Sequence, residues 1–499
     1  MQGWIAGVLA VLFFCLLFLL LLQVVMHKRL NHDENMYVGN GALLLRGWWP
    51  YADYPSFQMP LLSLIYGAAF LLPGHMLLVA RLINTFCALG CCLLLFVLVQ
   101  RVLTGVSAPA RLGVAASGVL IYVSGAQFVY TVGRAWNHDV PLLLTLGALT
   151  VFTSPRRNRE AGVPLLVAGG LLGLATSSRL LFAVAAVPFV GAIVCVPAVS
   201  RVRGVAWFAG GFGLGLVPCV PFLLRDPARF VFDNVTYHGL NEQYWRALNY
   251  TRAMTLSGKL GYALDVLREA TDSWVLLVGA VLVGALAARA RPRRGSESVA
   301  LALLTAAALF AGGLVPTPTW PQYFYAPFAL LAVGFVVGVA AMLRTRLWKV
   351  GMTLLVVVGA VSVASGVQRY ATLGHLRSFD DWTPGMVATV SGEIRAAVPR
   401  GTVVTLAPIY VLEAGLDIFP GLASGPFGYR VATLLPPPER EEHGLMSPQD
   451  TLRRMGERPP EAILTGAEDE MEAPLVGFAT ERGYTAKELS NGLSLWVRP

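Results

Sequence analysis

The feature that most constrains this chain is a succession of long apolar runs divided by short, arginine-bearing polar segments. Eleven such runs are readable, at 4–26, 75–99, 112–132, 137–153, 163–177, 180–199, 204–223, 274–289, 298–315, 323–342 and 349–367. A helix crossing a bilayer upright needs about 20 apolar residues. Several runs are shorter, and the pair meeting at Ser177-Ser178-Arg179 could be read differently, so the number of crossings is expected at about eleven, give or take about two. Composition excludes a soluble class. Of 499 residues 56% are hydrophobic and 13% charged, with mean hydropathy +0.62, whereas a soluble domain carries about 25% charged residues. The expected fold class is a polytopic α-helical membrane protein. The first run, Trp4 to Met26, has no basic residues before it and no small-x-small cleavage site after it, so it reads as a retained helix rather than a signal peptide.

The net charge of +9 is distributed in a way that orients helices and excludes a nucleic-acid partner. Arg101 and Arg111, then Arg156, Arg157 and Arg159, then Arg201 and Arg203, then Arg289, Arg291, Arg293 and Arg294, and finally Arg344, Arg346 and Lys349 fall in alternate loops, with Glu160 and Glu297 almost the sole acids among them. The positive-inside rule assigns these loops to the cytoplasm; Lys28 and Arg29, after the first run, are the exception. The first loop (27–74), a long loop (225–273) and everything after about Tyr370 then lie on the outer side, with the N-terminus cytoplasmic. All six cysteines lie in apolar runs and none forms a CxxC pair, so no disulfide framework is expected. That absence and the high Arg-to-Lys ratio point to a bacterial inner membrane.

Two units follow: a membrane module, 1–370, and a small extracytoplasmic α/β domain, 371–499. In the latter, Met386–Val398 and Leu475–Arg482 have helical spacing, Thr402–Leu406 and Ala462–Thr465 read as buried strands, and Ser490-Asn491-Gly492-Leu493 signals a hairpin. It carries no Gly-rich phosphate loop, nucleophile elbow or metal-ligand spacing.

The chemistry concentrates in the first outer loop. Tyr37 to Arg46 and Met59 to Leu72 read as two helices lying along the membrane surface, with Trp48, Trp49, Tyr51 and Tyr54 at headgroup level. Asp33-Glu34 precedes the first of them. A carboxylate at a lipid–water boundary is partly desolvated and a better base than in water; equally, Asp33 or Asn31 serves as a helix cap and Glu34 suits the helix dipole. A second acidic site, Asn137-His138-Asp139, opens a membrane helix, where ionisable groups are costly; Asp139 also fits a cap. Arg134 is an interfacial anchor or a phosphate partner. Arg179, between two apolar runs with no acid nearby, calls for an anion such as a lipid-linked phosphate. Pro321-Gln322-Tyr323-Phe324-Tyr325 fits an aromatic belt, or Gln322 or Tyr323 bonds a substrate. His32 and His138 lack HxH or HxxxH spacing, and no metal is expected.

These residues resemble the GT-C superfamily of membrane glycosyltransferases, in particular the group of protein O-mannosyltransferases and lipid A aminoarabinose transferases (glycosyltransferase families 39 and 83). The likeness lies in Asp33-Glu34, Tyr37, Gly47, Pro50-Tyr51, Asp53 and Pro60-Leu61 of the first loop, in Asn137-His138-Asp139, and in Tyr323-Phe324-Tyr325-Ala326-Pro327. One departure is Gln58-Met59-Pro60, where the family often carries Lys-Pro-Pro. The resemblance implies transfer of a hexosyl or pentosyl sugar from a polyprenyl-phosphate donor to a glycan, lipid or protein hydroxyl at the outer face, with inversion and without a cofactor. Asp33 would be the general base, with Glu34 and Asp139 tuning it or orienting the acceptor. Arg179 and Arg134 would meet the donor phosphate; Tyr37, Asp53, His138, Gln322 and Tyr323 would contact substrate. A transporter or lipid flippase is the main alternative, but its sites belong near the bilayer midplane, often between repeated halves; a non-catalytic sensor would tolerate neutral Asp33 and Asp139.

Overall fold

The computed structural model of the chain describes residues 2–154, 162–195, 201–290, 295–371 and 378–499. Arg156, Arg157, Arg159, Glu160, Arg291, Arg293 and Arg294, read above as cytoplasmic, lie outside the described residues.

Over its described residues each apolar run is predominantly helical. Helix α1 (Gln2–Met26) leads to two short helices in the first loop, α2 (His32–Leu45) and α3 (Leu61–Ala69), and then to α4 (Met76–Val102). Next come α5 (Ala108–Ser124), α6 (Ala126–Thr131), α7 (Asp139–Phe152) and α8 (Val163–Ser178). A 3-10 stretch, Leu180–Ala185, runs into α9 (Ala186–Cys195), followed by α10 (Arg201–Gly215) and α11 (Val220–Arg225). The long loop folds as α12 (Pro227–Val231), α13 (Tyr237–Ala247) and α14 (Leu256–Arg268), before α15 (Thr271–Ala290), α16 (Ser296–Gly313), α17 (Tyr325–Met342) and α18 (Trp348–Ala371). Among the described residues seven helical stretches are long and apolar enough to cross a membrane, and four apolar helices, those at 108–124, 139–152, 163–178 and 180–195, are shorter. Helix α17 is apolar all round and 94% of its most apolar window is buried, so it is the axis of the bundle; α1, only 11% buried, lies on the rim.

Helices α8 and α10 approach backbone to backbone. Gly169 and Gly173 on one face Gly211 and Gly215 on the other, and a Cβ at any of these would strike a main-chain carbonyl of the neighbouring helix. Small residues at four-residue spacing allow such contacts in membrane helices. Here the contact fixes the end of α8, where Arg179 turns extended (φ −155°, ψ 115°).

Loop arginines and Lys28 satisfy helix ends. Arg101 donates to the Thr150 carbonyl at 2.8 Å. Lys28, the exception to the charge pattern, donates to the Val132 carbonyl at 2.6 Å, just past α6. Its charge closes a helix terminus inside the fold, which explains why it ignores the loop bias.

Residues 378–499 form a small α/β unit: α19 (Thr383–Ala397), β1 (Val403–Val404), α20 (Pro408–Glu413), α21 (Pro426–Ala432), α22 (Pro437–Glu442), α23 (Pro448–Glu457), β2 (Ala462–Thr465), α24 (Ala473–Glu481), β3 (Thr485–Glu488) and β4 (Ser494–Val497). The sheet order is β1-β2-β4-β3, with β1 parallel to β2 and the other pairs antiparallel; Ile463 pairs with Trp496 and Lys487 with Leu495. The hairpin turn needs Gly492 at φ +84°. The strand read at 402–406 is only two residues long, because the chain turns at Pro408 into α20.

This unit is sewn to the first loop. Arg46 donates to the carbonyls of Leu416 (2.7 Å) and Leu412 (2.9 Å), Glu413 accepts the Met76 N–H at 2.9 Å, and Ser424 donates to the Pro55 carbonyl at 2.6 Å. The first loop is thereby clamped between bundle and C-terminal unit.

Candidate active site

The two adjacent acids at the start of α2 have separate fates. Asn31 is the N-cap: its side chain accepts the Asp33 N–H at 2.8 Å, and Glu34 accepts the Asn31 N–H at 3.3 Å, completing a capping box. Glu34 is fully buried and gripped at two points by Arg81, Nε to Oε1 at 2.9 Å and Nη2 to Oε2 at 2.8 Å; it also accepts the Ala135 N–H at 2.9 Å. Burial opposes its charge most strongly, but Arg81, Arg134 and the Ala135 N–H together outweigh it and hold the carboxyl below its ordinary range.

Asp33 is left with no such partner. Among the described residues no protein donor bonds its carboxylate, because Asn31 has taken the capping role. Burial raises its proton affinity above the ordinary range, against the pull of His32, Arg430 and Arg179. A half-buried carboxylate with open lone pairs and a raised affinity for protons has the properties of a general base.

Arg179 supplies the opposite charge. Where α8 ends, its Nη1 lies 2.7 Å from His138 Nε2 and 3.2 Å from Asn137 Oδ1, and the guanidinium sits over the Tyr323 ring, 4.8 Å from its centroid. Asn137 in turn donates to Gln58 Oε1 at 2.7 Å. Arg179, Gln58, Asn234, His238, Glu242 and Thr317 line a groove of about 400 Å³ whose apolar walls include Leu181, Val184 and Val235. Gln58, at the position where the resembled family often has lysine, thus stands in the same groove as Arg179. Tyr37, one turn beyond Asp33, is within electrostatic reach of Asp33, Arg179 and Tyr323. The structure therefore brings together Asp33, Tyr37, His138, Arg179 and Tyr323.

Other expected site residues are occupied elsewhere. Asp139 is buried, with one oxygen accepting the Gly133 N–H at 2.8 Å and the other the Tyr325 hydroxyl at 2.6 Å; it fixes the 133–138 turn that carries Asn137 and His138. Arg134, expected as an anchor or a phosphate partner, donates to the Arg29 carbonyl at 2.9 Å and lies 3.8 Å from the Glu34 carboxylate, whose charge attracts it. Asp53, expected at substrate, is exposed in a turn and accepts the Trp49 N–H at 2.7 Å, since a short loop with Tyr51 at φ +71° requires a side-chain closure. Gln322 does not line the groove, and its Oε1 is buried with no partner among the described residues.

Three residues were missed. Arg81 carries a signal that could have found it, a lone cation within an apolar run. Asp233, in the long loop, accepts the Ser56 N–H at 2.7 Å, and burial raises its carboxyl well above the ordinary range. Arg430 comes from the C-terminal unit: it donates to Asn241 Oδ1 at 2.6 Å, sits 4.8 Å from the Phe427 ring centroid, and acts on Asp33 from the side opposite the bundle. No local pattern announces either. Among the described residues no three His, Cys, Asp or Glu side chains cluster as metal ligands.

The architecture that carries this site resembles in fold the solved structures of GT-C membrane glycosyltransferases. The solved structure of ArnT from Cupriavidus metallidurans bound to undecaprenyl phosphate superposes with a TM-score of 0.65 at 12% identity, covering 99% of this chain and 98% of that one. The archaeal oligosaccharyltransferase AglB from Archaeoglobus fulgidus, in complex with an inhibitory peptide and a dolichol-phosphate, gives 0.52 at 12% identity, covering 98% of this chain and 74% of that one. No protein-family model and no curated protein sequence matches the chain. At such identities the likeness is one of fold, and it spans the C-terminal unit as well as the bundle.

Proposed function

We propose that the chain is a membrane glycosyltransferase that moves a sugar from a polyprenyl-phosphate donor to an acceptor hydroxyl at the outer face of the membrane, inverting the anomeric centre. The observation that carries this reading is an unbonded carboxylate, Asp33, within electrostatic reach of Arg179, which itself lines a groove with several apolar walls. Lipid phosphates bound to ArnT and AglB support the donor class. A donor of that class needs both kinds of lining: a cation for the phosphate and an apolar wall for the chain.

In the reaction, Asp33 accepts the acceptor's hydroxyl proton as that oxygen bonds to the anomeric carbon. The bond from that carbon to the phosphate oxygen breaks, and its electron pair leaves on the phosphate. The leaving group is an anion already, so it needs neutralisation by Arg179 rather than a proton. Tyr323 and His138 hold the guanidinium in place. Glu34, through Arg81 and the Ala135 amide, positions α2, and Asp139 positions the 133–138 turn. The balance closes without a cofactor. Under this reading the bundle spans a bacterial inner membrane with residues 378–499 on its extracytoplasmic side.

The test is release of free polyprenyl phosphate from a panel of polyprenyl-phosphate sugars by the protein in nanodiscs, with cell-envelope extract as acceptor. Asp33→Asn should lose roughly 10²–10⁴-fold in rate, the usual worth of a positioned base, and Arg179→Ala should weaken donor binding. Turnover untouched by Asp33→Asn would overturn the assignment, and labelled-lipid flipping without release would favour a transporter.

A further inference from the structure

A second cleft, of about 620 Å³, opens beside the N-terminus of α2, between that helix and the C-terminal unit. It shares no lining residue with the Arg179 groove. Its chemistry also differs. Arg29, Asn31 and His32 form one wall, and Tyr410, Glu468 and Asn491 stand on the other. Both signs of charge, three asparagines and Tyr410, whose hydroxyl accepts from Asn491 at 3.3 Å, line the space, and Met386 and Leu493 give it apolar edges.

This mixture selects among ligand classes. A prenyl or acyl chain would bury the polar groups without partners, which is costly. A simple anion would meet Glu468, and a simple cation would meet Arg29. A saccharide, with hydroxyls that both donate and accept and with apolar C–H faces, uses every feature of the lining. The volume falls within the range of small-molecule sites, about 300–1,000 Å³. Asp33 does not line the cleft, but the two residues that precede it along the chain do: His32, which lies 3.9 Å from Glu468, and Asn31, which accepts the Asp33 N–H.

We propose that this cleft binds a saccharide, the end of the acceptor glycan, and presents one of its hydroxyls to Asp33. The proposal rests on the transferase reading for its role in turnover. It assigns acceptor selection to the C-terminal unit, which supplies Tyr410, Glu468 and Asn491.

The full-length protein in nanodiscs would be incubated with an array of neutral and acidic di- and trisaccharides, beside Ala467→Trp and Glu468→Gln, with thermal unfolding of each variant measured. Ala467 lines the cleft, and only its backbone N–H is engaged, by Glu472 at 3.0 Å, so tryptophan there fills the space. Saccharide binding by wild type that weakens at least tenfold in Ala467→Trp and several-fold in the isosteric Glu468→Gln is the expected result. Binding unchanged in both variants overturns the proposal, as does a wild-type protein that binds none of the saccharides at millimolar concentration. The transferase reading fails by a different measurement, polyprenyl-phosphate release indifferent to Asp33→Asn, whatever the array shows.

Discussion

Glu34 and Arg81 meet in a two-point ion pair with neither side chain exposed, and that pair sets where Asp33 stands. Helix α2 contains Gly39, Gly41 and two asparagines, so its own propensity is poor. Removing one partner of a buried pair typically costs about 3–5 kcal/mol, whereas replacing both by apolar groups of similar volume is often tolerated. Glu34→Ala should therefore sharply reduce folded yield in detergent, and Glu34→Leu combined with Arg81→Met should recover much of it. Because the Glu34 carboxyl is held below its ordinary range, its contribution is present above the unfolded-state pKa of about 4.3 and is lost as pH falls through the folded value. The melting temperature of wild type should drop with acidification there, and that of the double variant should drop less. Equal acid sensitivity of the two would refute the role given to Glu34.

Asn31 and Asp33 separate stability from chemistry. Asn31→Ala removes the cap and should cost about 1 kcal/mol, lowering the melting temperature while turnover falls far less than in Asp33→Asn. Asp33→Asn should do the reverse. Burial raises the Asp33 carboxyl, so that residue favours the fold least above its folded pKa, where it must be charged. Neutralising it should leave the melting temperature at pH 7 unchanged or slightly higher while turnover collapses. A melting temperature that falls with Asp33→Asn would make it a structural residue.

Arg430 lowers the proton affinity of Asp33 from the C-terminal side. Taking away a cation favours the protonated carboxyl, so Arg430→Gln should move the acid limb of the kcat/KM profile to higher pH, and Arg430→Lys should restore much of it. The variant should look most impaired in acid and recover as pH rises. A uniform loss across pH would instead assign Arg430 to holding α13 through Asn241.

The apolar runs were legible because lipid is an unforgiving solvent: a segment such as Pro321–Met342 has no other place to be than a helix core. The Asp33-Glu34 pair was legible as a place but not as a division of labour. That division depends on Arg81, 47 residues on, and on Asn31 taking the cap that either acid could have filled. Arg134 reads from the sequence as an interfacial anchor or a phosphate partner, and Asp53 is named there through the family resemblance. What decided otherwise was local geometry, a carbonyl at Arg29 and an amide at Trp49, which composition does not encode. Arg430 was invisible for a third reason: it reaches the site through the packing of a separate unit against α13.

The contact between α8 and α10 supplies a test at a distance from the reacting groups. A methyl at Gly211 would strike the Leu166 carbonyl, and one at Gly173 the Phe212 carbonyl, whereas one at Gly213 meets nothing within 4 Å. Backbone cannot move aside as a side chain can, so Gly211→Ala should cost about 1–3 kcal/mol or more as the helices are forced apart. Gly213→Ala, on the open face of the same helix, should be neutral or mildly stabilising, since alanine is the better helix former. Because α8 ends at Arg179, splaying the helices should also shift the guanidinium off His138 and Tyr323. Gly211→Ala and Gly173→Ala are therefore expected to raise the KM for donor more than that for acceptor. Equal melting temperatures and equal KM values for Gly211→Ala and Gly213→Ala would show that α10 does not position Arg179.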